Sequence, residues 1–181
     1  MIKVFTGPMY ADKSKNLIDE YSKIWNKQRV LCFKPSKDTR EYSEIHSRNS
    51  NINIKAIVIS SLDDIPVYLD DTISTIIIDE VQFLTGNVSI LNDLSIIRDI
   101  DIYIAGLSMT SELEPFGIMP EVLSIANEIV HLKACCSDCN KYNAEYTYCL
   151  EEKDEDILVG SSMYIPLCQK CLVKRRLKGG K

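Results

Sequence analysis

The sequence predicts an α/β protein, a parallel β-sheet with helices on both faces followed by a small cysteine-bound module. Three observations predict it. Short apolar runs alternate with longer amphipathic segments over residues 1–132. One of those runs, Thr75–Ile78, is β-branched throughout, as in strands buried on both faces of a parallel sheet. Four of the seven cysteines fall in two Cys-x-x-Cys pairs near the C-terminus.

Taken in order, Ile2–Phe5 reads as a strand. From Lys13 to Gln28 the apolar residues Leu17, Ile18, Tyr21, Ile24 and Trp25 recur at intervals of three and four, the period of an amphipathic helix. Val30–Lys34 is a second strand and Ile54–Ile59 a third. The stretch Ser36–Asn53 between them is polar, lacks apolar periodicity and reads as a loop. Ser61 or Asp63 is placed to cap a short helix through Tyr68. After Thr75–Ile78 the pattern predicts a helix over Ser89–Ile97, a strand over Asp101–Ala105, a helix over Pro120–Ala126 and a last strand over Ile129–Leu132. At Lys133 the texture changes to cysteines, tyrosines and the charged stretch Glu151–Asp156. The expected division is therefore 1–132 for the sheet, 133–173 for the cysteine module, and 174–181 for a disordered basic tail.

Composition narrows the function. Of 181 residues, 45% are hydrophobic and 26% charged, the balance of a chain that folds around its own core. The net charge of −5 argues against a nucleic-acid partner. The basic cluster Lys174, Arg175, Arg176, Lys178 and Lys181 reads as a solvated tail. No run is long and apolar enough to span a membrane. The N-terminus leads straight into a strand, without a charged leader or cleavage signal, so a cytoplasmic location is expected.

The turn between the first strand and the first helix reads Gly7-Pro8-Met9-Tyr10-Ala11-Asp12-Lys13-Ser14. This is the context of a phosphate-binding P-loop, in which backbone N–H groups and a helix N-terminus face a polyphosphate. Lys13 would reach the β- and γ-phosphates of ATP, and the Ser14 hydroxyl would ligate Mg²⁺. Asp12 stands where the motif has glycine. Aspartate tolerates left-handed backbone geometry, but at roughly 5 Å and an effective dielectric of about 20 each like-charge pair costs on the order of 3 kcal/mol. The competing reading is a strand, a tight turn and a helix with no ligand.

Downstream, Thr75–Ile78 ends in Asp79 and Glu80. In a parallel sheet the ends of the strands lie together at the ligand-binding edge. One carboxylate there can hold Mg²⁺ and the other can accept a proton from a substrate hydroxyl. The alternative is that both merely cap the next helix. Cys136, Cys139, Cys168 and Cys171 offer four thiolates, enough for a closed tetrahedral structural Zn²⁺ site. Four ordinary reduced cysteines are the competing reading. Cys32 and Cys149 read as small apolar residues, and His46 and His131 have no visible catalytic partner.

Taken together, these residues resemble the thymidine kinase family of the cellular and viral, zinc-containing type. The matching blocks are Thr6–Tyr10 with Lys13-Ser14, Lys37–Arg40 with Ser47-Arg48, and Ile78–Phe83. They continue with Gly106-Leu107, Pro115–Gly117, Leu132–Ala134 with Cys136 and Cys139, and Tyr164 with Cys168 and Cys171. The resemblance covers nearly the whole chain in order. It implies a P-loop NTPase-like fold with a lasso loop on the zinc domain, transfer of the ATP γ-phosphate to the 5′-hydroxyl of thymidine or a related deoxynucleoside, and a homotetramer. It implies Glu80 as base, Asp79 as Mg²⁺ partner, and Asp38 and Arg40 near the metal and phosphates. Met9, Phe83, Leu107 and Phe116 would line the base pocket. Tyr164 would close the lasso, and the backbone of Val159, Gly160, Ser161, Ser162 and Met163 would read the base edge.

The chain departs from the family pattern in four places: Asp12; the pocket segment Ser108–Glu114, where an aromatic gives way to Ser111 and a basic residue to Glu114; a lasso that is slightly shorter and has lost a glycine; and a basic residue replaced around Cys149. The alternatives carried forward are a homologue that kept the fold and zinc but lost catalysis, and a phosphotransferase with another acceptor.

Overall fold

The computed structural model describes residues 1–24, 26–38, 43–47, 52–150 and 163–178. The chain enters through β1 (Ile2–Thr6), α1 (Lys13–Lys23) and β2 (Val30–Pro35). The two-residue strands β3 (Glu44–Ile45) and β4 (Ile54–Lys55) follow, then β5 (Ile57–Ile59) and β6 (Thr75–Ile78). Next come α2 (Ser89–Ile97), β7 (Asp101–Gly106), α3 (Met119–Ile125) and β8 (Glu128–His131). Six of these strands form one sheet in the order β5-β2-β6-β7-β1-β8, with every neighbouring pair parallel.

The period-two alternation of side chains explains why the sheet is covered on both faces. Ile76 and Ile78 point into a layer with Leu91 and Leu94 of α2 and Met119 and Val122 of α3. Ile77 points the other way, towards Leu17 and Ile18 of α1. All three isoleucines are fully buried, so the β-branched run is a central strand, as its composition predicts.

Two expectations change in this part of the chain, and the expected Ser61 cap is present. The first helix stops at Lys23 rather than Gln28, because the chain turns extended at Ile24 (φ −77°, ψ 120°). The Lys27 ammonium donates back to the carbonyls of Tyr21 and Ile24 and lies 4.4 Å from the Tyr21 ring centroid, a cation at a helix C-terminus. The expected strand Ile54–Ile59 breaks at Ala56, whose N–H donates to Ser43 O at 2.8 Å. Its first half pairs antiparallel with β3, so the polar stretch supplies the buried Ile45 to the α1-side layer. Ser61 caps the next turn reciprocally with Asp64, and that turn, Leu62–Tyr68, is a 3₁₀ helix containing Pro66.

Beyond β8 the chain forms β9 (Ala134–Cys135), β10 (Tyr142–Ala144), β11 (Tyr146–Cys149), β12 (Tyr164–Leu167) and α4 (Gln169–Lys178). β9 pairs antiparallel with β10, and β11 with β12. The basic residues 174–178, expected in a disordered tail, continue α4. Leu172 is buried in the cysteine module, and Arg175 donates to both oxygens of Asp138 at 2.9 and 2.6 Å. These contacts hold the helix where composition alone suggests solvent. Residues 179–181 lie outside the described residues.

Candidate active site and metal cluster

Because the large sheet is parallel, the carboxyl ends of β1, β2, β6 and β7 share one edge, and the candidate residues issue from it. Gly7 follows β1. An added Cβ there would stand 2.4 Å from the Leu132 carbonyl oxygen, so the close approach to the end of β8 admits only glycine. Asp12 is the N-cap of α1 and adopts the left-handed conformation (φ 57°, ψ 31°). The turn that the motif gives to glycine is therefore made with aspartate. Its carbonyl accepts from the backbone and side-chain nitrogens of Asn16 at 3.0 and 2.9 Å. Lys13 is buried, with its ammonium folded into the loop to donate to Pro8 O at 2.8 Å and Gly7 O at 3.3 Å.

The first turn of α1 reaches the end of β6. Ser14 Oγ donates to Asp79 Oδ2 at 2.8 Å, and Asp79 Oδ1 accepts from the Glu80 N–H at 3.0 Å. The hydroxyl and carboxylate are hard oxygen donors, the set that suits Mg²⁺. Glu80 itself has left-handed backbone (φ 50°, ψ 40°), a costly conformation for a non-glycine residue and one that concentrates at functional sites. Its Oε2 accepts from Gln82 Nε2 at 2.6 Å, and Gln82 Oε1 accepts from the Leu107 N–H at 3.0 Å. Sequence reasoning did not single out Gln82. Its only signal was membership of the Ile78–Phe83 block.

Phe83 and Phe116 meet edge to face, with centroids 5.3 Å apart, and bring the β6 and β7 connections together. Tyr164 opens β12 opposite Cys149, and Leu150 N–H donates to Met163 O at 2.8 Å, closing the base of the hairpin. Met9 is tied to the same hairpin by its N–H, which donates to Thr147 Oγ1 at 3.0 Å. A hollow opens there between Pro8, Met109, Leu113, Tyr146 and Thr147. Asp38 sits beyond the end of β2 in a buried ion pair, with Lys34 Nζ 3.2 Å from its carboxylate. Arg40, Val159, Gly160, Ser161 and Ser162 lie outside the described residues.

The ligand atoms of Cys136, Cys139, Cys168 and Cys171 lie within 4.8 Å of one another, a four-thiol cluster suited to a metal ion and, by its donor set, to zinc. Burial works against ionising the Cys136 thiol. Backbone N–H groups of Cys168, Cys139 and Asp138 outweigh it and bring the thiol down to about 6. Burial and the neighbouring sulfurs push Cys171 up to about 12. Opposite shifts on two neighbouring thiols follow where charge on one sulfur disfavours charge on the next. Cys135 is exposed and outside the cluster, which agrees with the two-residue gap selecting Cys136. Burial raises the Cys32 thiol to about 12, consistent with its reading as a small apolar residue. Among the described residues no helix is long and apolar enough to cross a membrane.

A thymidine kinase family model matches residues 1–172. The chain is 33% identical over 177 residues to a thymidine kinase of Pseudothermotoga lettingae, covering 96% of this chain and 95% of that protein. It is 35% identical over 173 residues to a thymidine kinase of Mycoplasma mobile, covering 94% and 86%. Matches of this length, over a parallel α/β sheet with a four-cysteine cluster, show that the chain belongs to the thymidine kinase family.

Proposed function

We propose that this chain transfers the γ-phosphate of ATP to the 5′-hydroxyl of thymidine or a related deoxynucleoside. In this reading residues 7–14 are the phosphate loop of a P-loop nucleotide-binding body spanning 1–132, and residues 133–173 are a zinc-bound module carrying the lasso. Ser14 and Asp79 hold Mg²⁺, which when bound neutralises charge on the phosphates. Lys13 leaves the loop carbonyls for the β- and γ-phosphates. Glu80 accepts the proton of the 5′-hydroxyl as that oxygen bonds to the γ-phosphorus and the bond to the β-phosphate oxygen breaks, releasing ADP. The edge-to-face pair Phe83 and Phe116, with Met9 and Leu107, flanks the base. Met163 and Tyr164 approach from the hairpin, and the backbone of Val159–Ser162 reads the base edge.

The observation that carries this reading is the hydrogen bond of Ser14 to Asp79 at 2.8 Å with Glu80 as the next residue. It supports the reading because it brings the end of residues 7–14 to the two carboxylates at one sheet edge. Membership of the family supports a nucleoside-kinase activity.

The test is transfer from ATP to a panel of labelled nucleosides by wild type and Glu80→Gln. Wild type should phosphorylate thymidine or deoxyuridine, and Glu80→Gln should lose about 10² or more in kcat with little change in KM for ATP. A Glu80→Gln enzyme as fast as wild type would remove Glu80 from the base role. Transfer only to another acceptor would replace the substrate reading.

A further inference from the structure

Gln82 lies in a 3₁₀ turn two residues after Glu80 and is 3% exposed. Its carboxamide makes two hydrogen bonds of opposite polarity. The Leu107 backbone N–H can only donate, so Oε1 must face it. That fixes the amide orientation and aims Nε2 at the Glu80 carboxylate, 2.6 Å away. The surroundings are built around this group. A Cβ on Gly106 would stand 2.7 Å from Gln82 Oε1, and one on Gly117, where φ is 52°, would stand 2.1 Å from Gln82 O. The carboxamide thus spans the ends of β6 and β7, and its backbone seats the loop that carries Phe116.

From this arrangement we propose that Gln82 is a positioning residue. It holds the Glu80 carboxylate at one rotamer and ties it to the pocket wall at Leu107, so that base and acceptor hydroxyl keep one separation. This rests on the reading of Glu80 as base. The left-handed backbone of Glu80 explains the need. A residue in that conformation gains no orientation from a regular helix or strand, and a carboxylate set wrong by about 1 Å can cost about a hundredfold in rate.

The experiment is a double-mutant cycle, with kcat and KM measured for ATP and nucleoside in wild type, Gln82→Met, Gln82→Glu, Glu80→Gln and the combination Glu80→Gln with Gln82→Met. Met keeps the length but makes neither hydrogen bond. Glu keeps an acceptor for the Leu107 N–H but sets a second carboxyl against Glu80, where two like charges compete for one proton, so an alkaline shift of the kcat pH profile reports the contact if the Met variant folds poorly. Gln82→Met and Gln82→Glu should each lower kcat about tenfold to a hundredfold, with KM for the nucleoside within about threefold. Gln82→Met should add almost nothing to Glu80→Gln, because the group it acts through is already changed.

Equal loss in both backgrounds, a change confined to KM, or unchanged kcat in Gln82→Glu would overturn the proposal while leaving Glu80 as base. A fully active Glu80→Gln enzyme, or a wild type that phosphorylates no nucleoside, would instead remove the reading on which it rests.

Discussion

The parallel-sheet body and the cysteine module are stabilised by different physics. In the body, each inner strand contributes side chains to two layers, as β6 does with Ile76 and Ile78 on one face and Ile77 on the other. Apolar burial at about 25 cal/mol per Å² is its main source of stability. Among the described residues the module's buried cluster is Ala134, Cys136, Ala144, Leu167, Cys168 and Leu172, with Ala11 lent by the β1–α1 loop and Tyr146, Tyr148 and Ile165 packed against it. Most of the buried side chains are small, and two are cysteines of the four-thiol cluster. A cluster this small is expected to need a cross-link to hold its shape. Yet the module is not a separate appendage, since Ala11 and the Met9 to Thr147 hydrogen bond at 3.0 Å join it to the loop proposed to hold phosphate.

Removing the metal should break this comparison most sharply. A chelator, or Cys168→Ser, is expected to unfold residues 133–178 while the sheet persists. Early protease cuts near β10 and β11 should accompany retained far-UV helix and strand signal. Phosphate transfer should fall as well, because Ala11 and Met9 lose their packing partners. If the module keeps its protection without metal, its small core suffices and the contrast between the regions fails.

A much smaller effect is expected where the module uses ordinary surface electrostatics. Arg175 donates to Asp138 in a bidentate pair and stacks 5.6 Å from the Tyr148 ring centroid. Its hydrogen bonds hold the Asp138 carboxyl below the usual carboxylate range. Because the pair is partly exposed, solvent screening limits it, and Arg175→Ala should cost about 0.5–1 kcal/mol at pH 7. A carboxylate with a depressed folded pKa stabilises above its unfolded value of about 3.9 and loses that contribution as pH falls through the folded value. The gap between wild type and Arg175→Ala in thermal melts should therefore close as pH drops below about 4. A gap independent of pH would assign the loss to packing on Tyr148.

What the sequence made legible follows the same division. The sheet strands and the thiol cluster could be read because period-two apolar runs and Cys-x-x-Cys spacing are local patterns. Ser14, Asp79 and Glu80 could be placed at one edge because parallel topology gathers strand ends. Other features depend on partners far along the chain. Ile45 is buried only because β3 pairs with β4. The residues after Val173 stay helical because Leu172 and Arg175 find partners in the module. Gln82 gains its place from Leu107 N–H, 25 residues away, and no periodicity marks such a contact. A nearer pair, Asp38 and Lys34, meets where the turn after β2 is closed by the Asp38 N–H donating to Pro35 O at 3.1 Å.

Asp12 separates a loop that merely keeps its shape from one that still works. Its left-handed backbone preserves the turn, and its charge is the remaining obstacle. The measurement that decides is phosphate transfer from ATP to labelled thymidine by purified, metal-loaded wild type beside Asp12→Gly. Product from both is predicted, with Asp12→Gly showing a lower KM for ATP as the like-charge repulsion of a few kcal/mol, less solvent screening, is relieved. Folded, metal-bound protein that forms no product in either variant would contradict the kinase account.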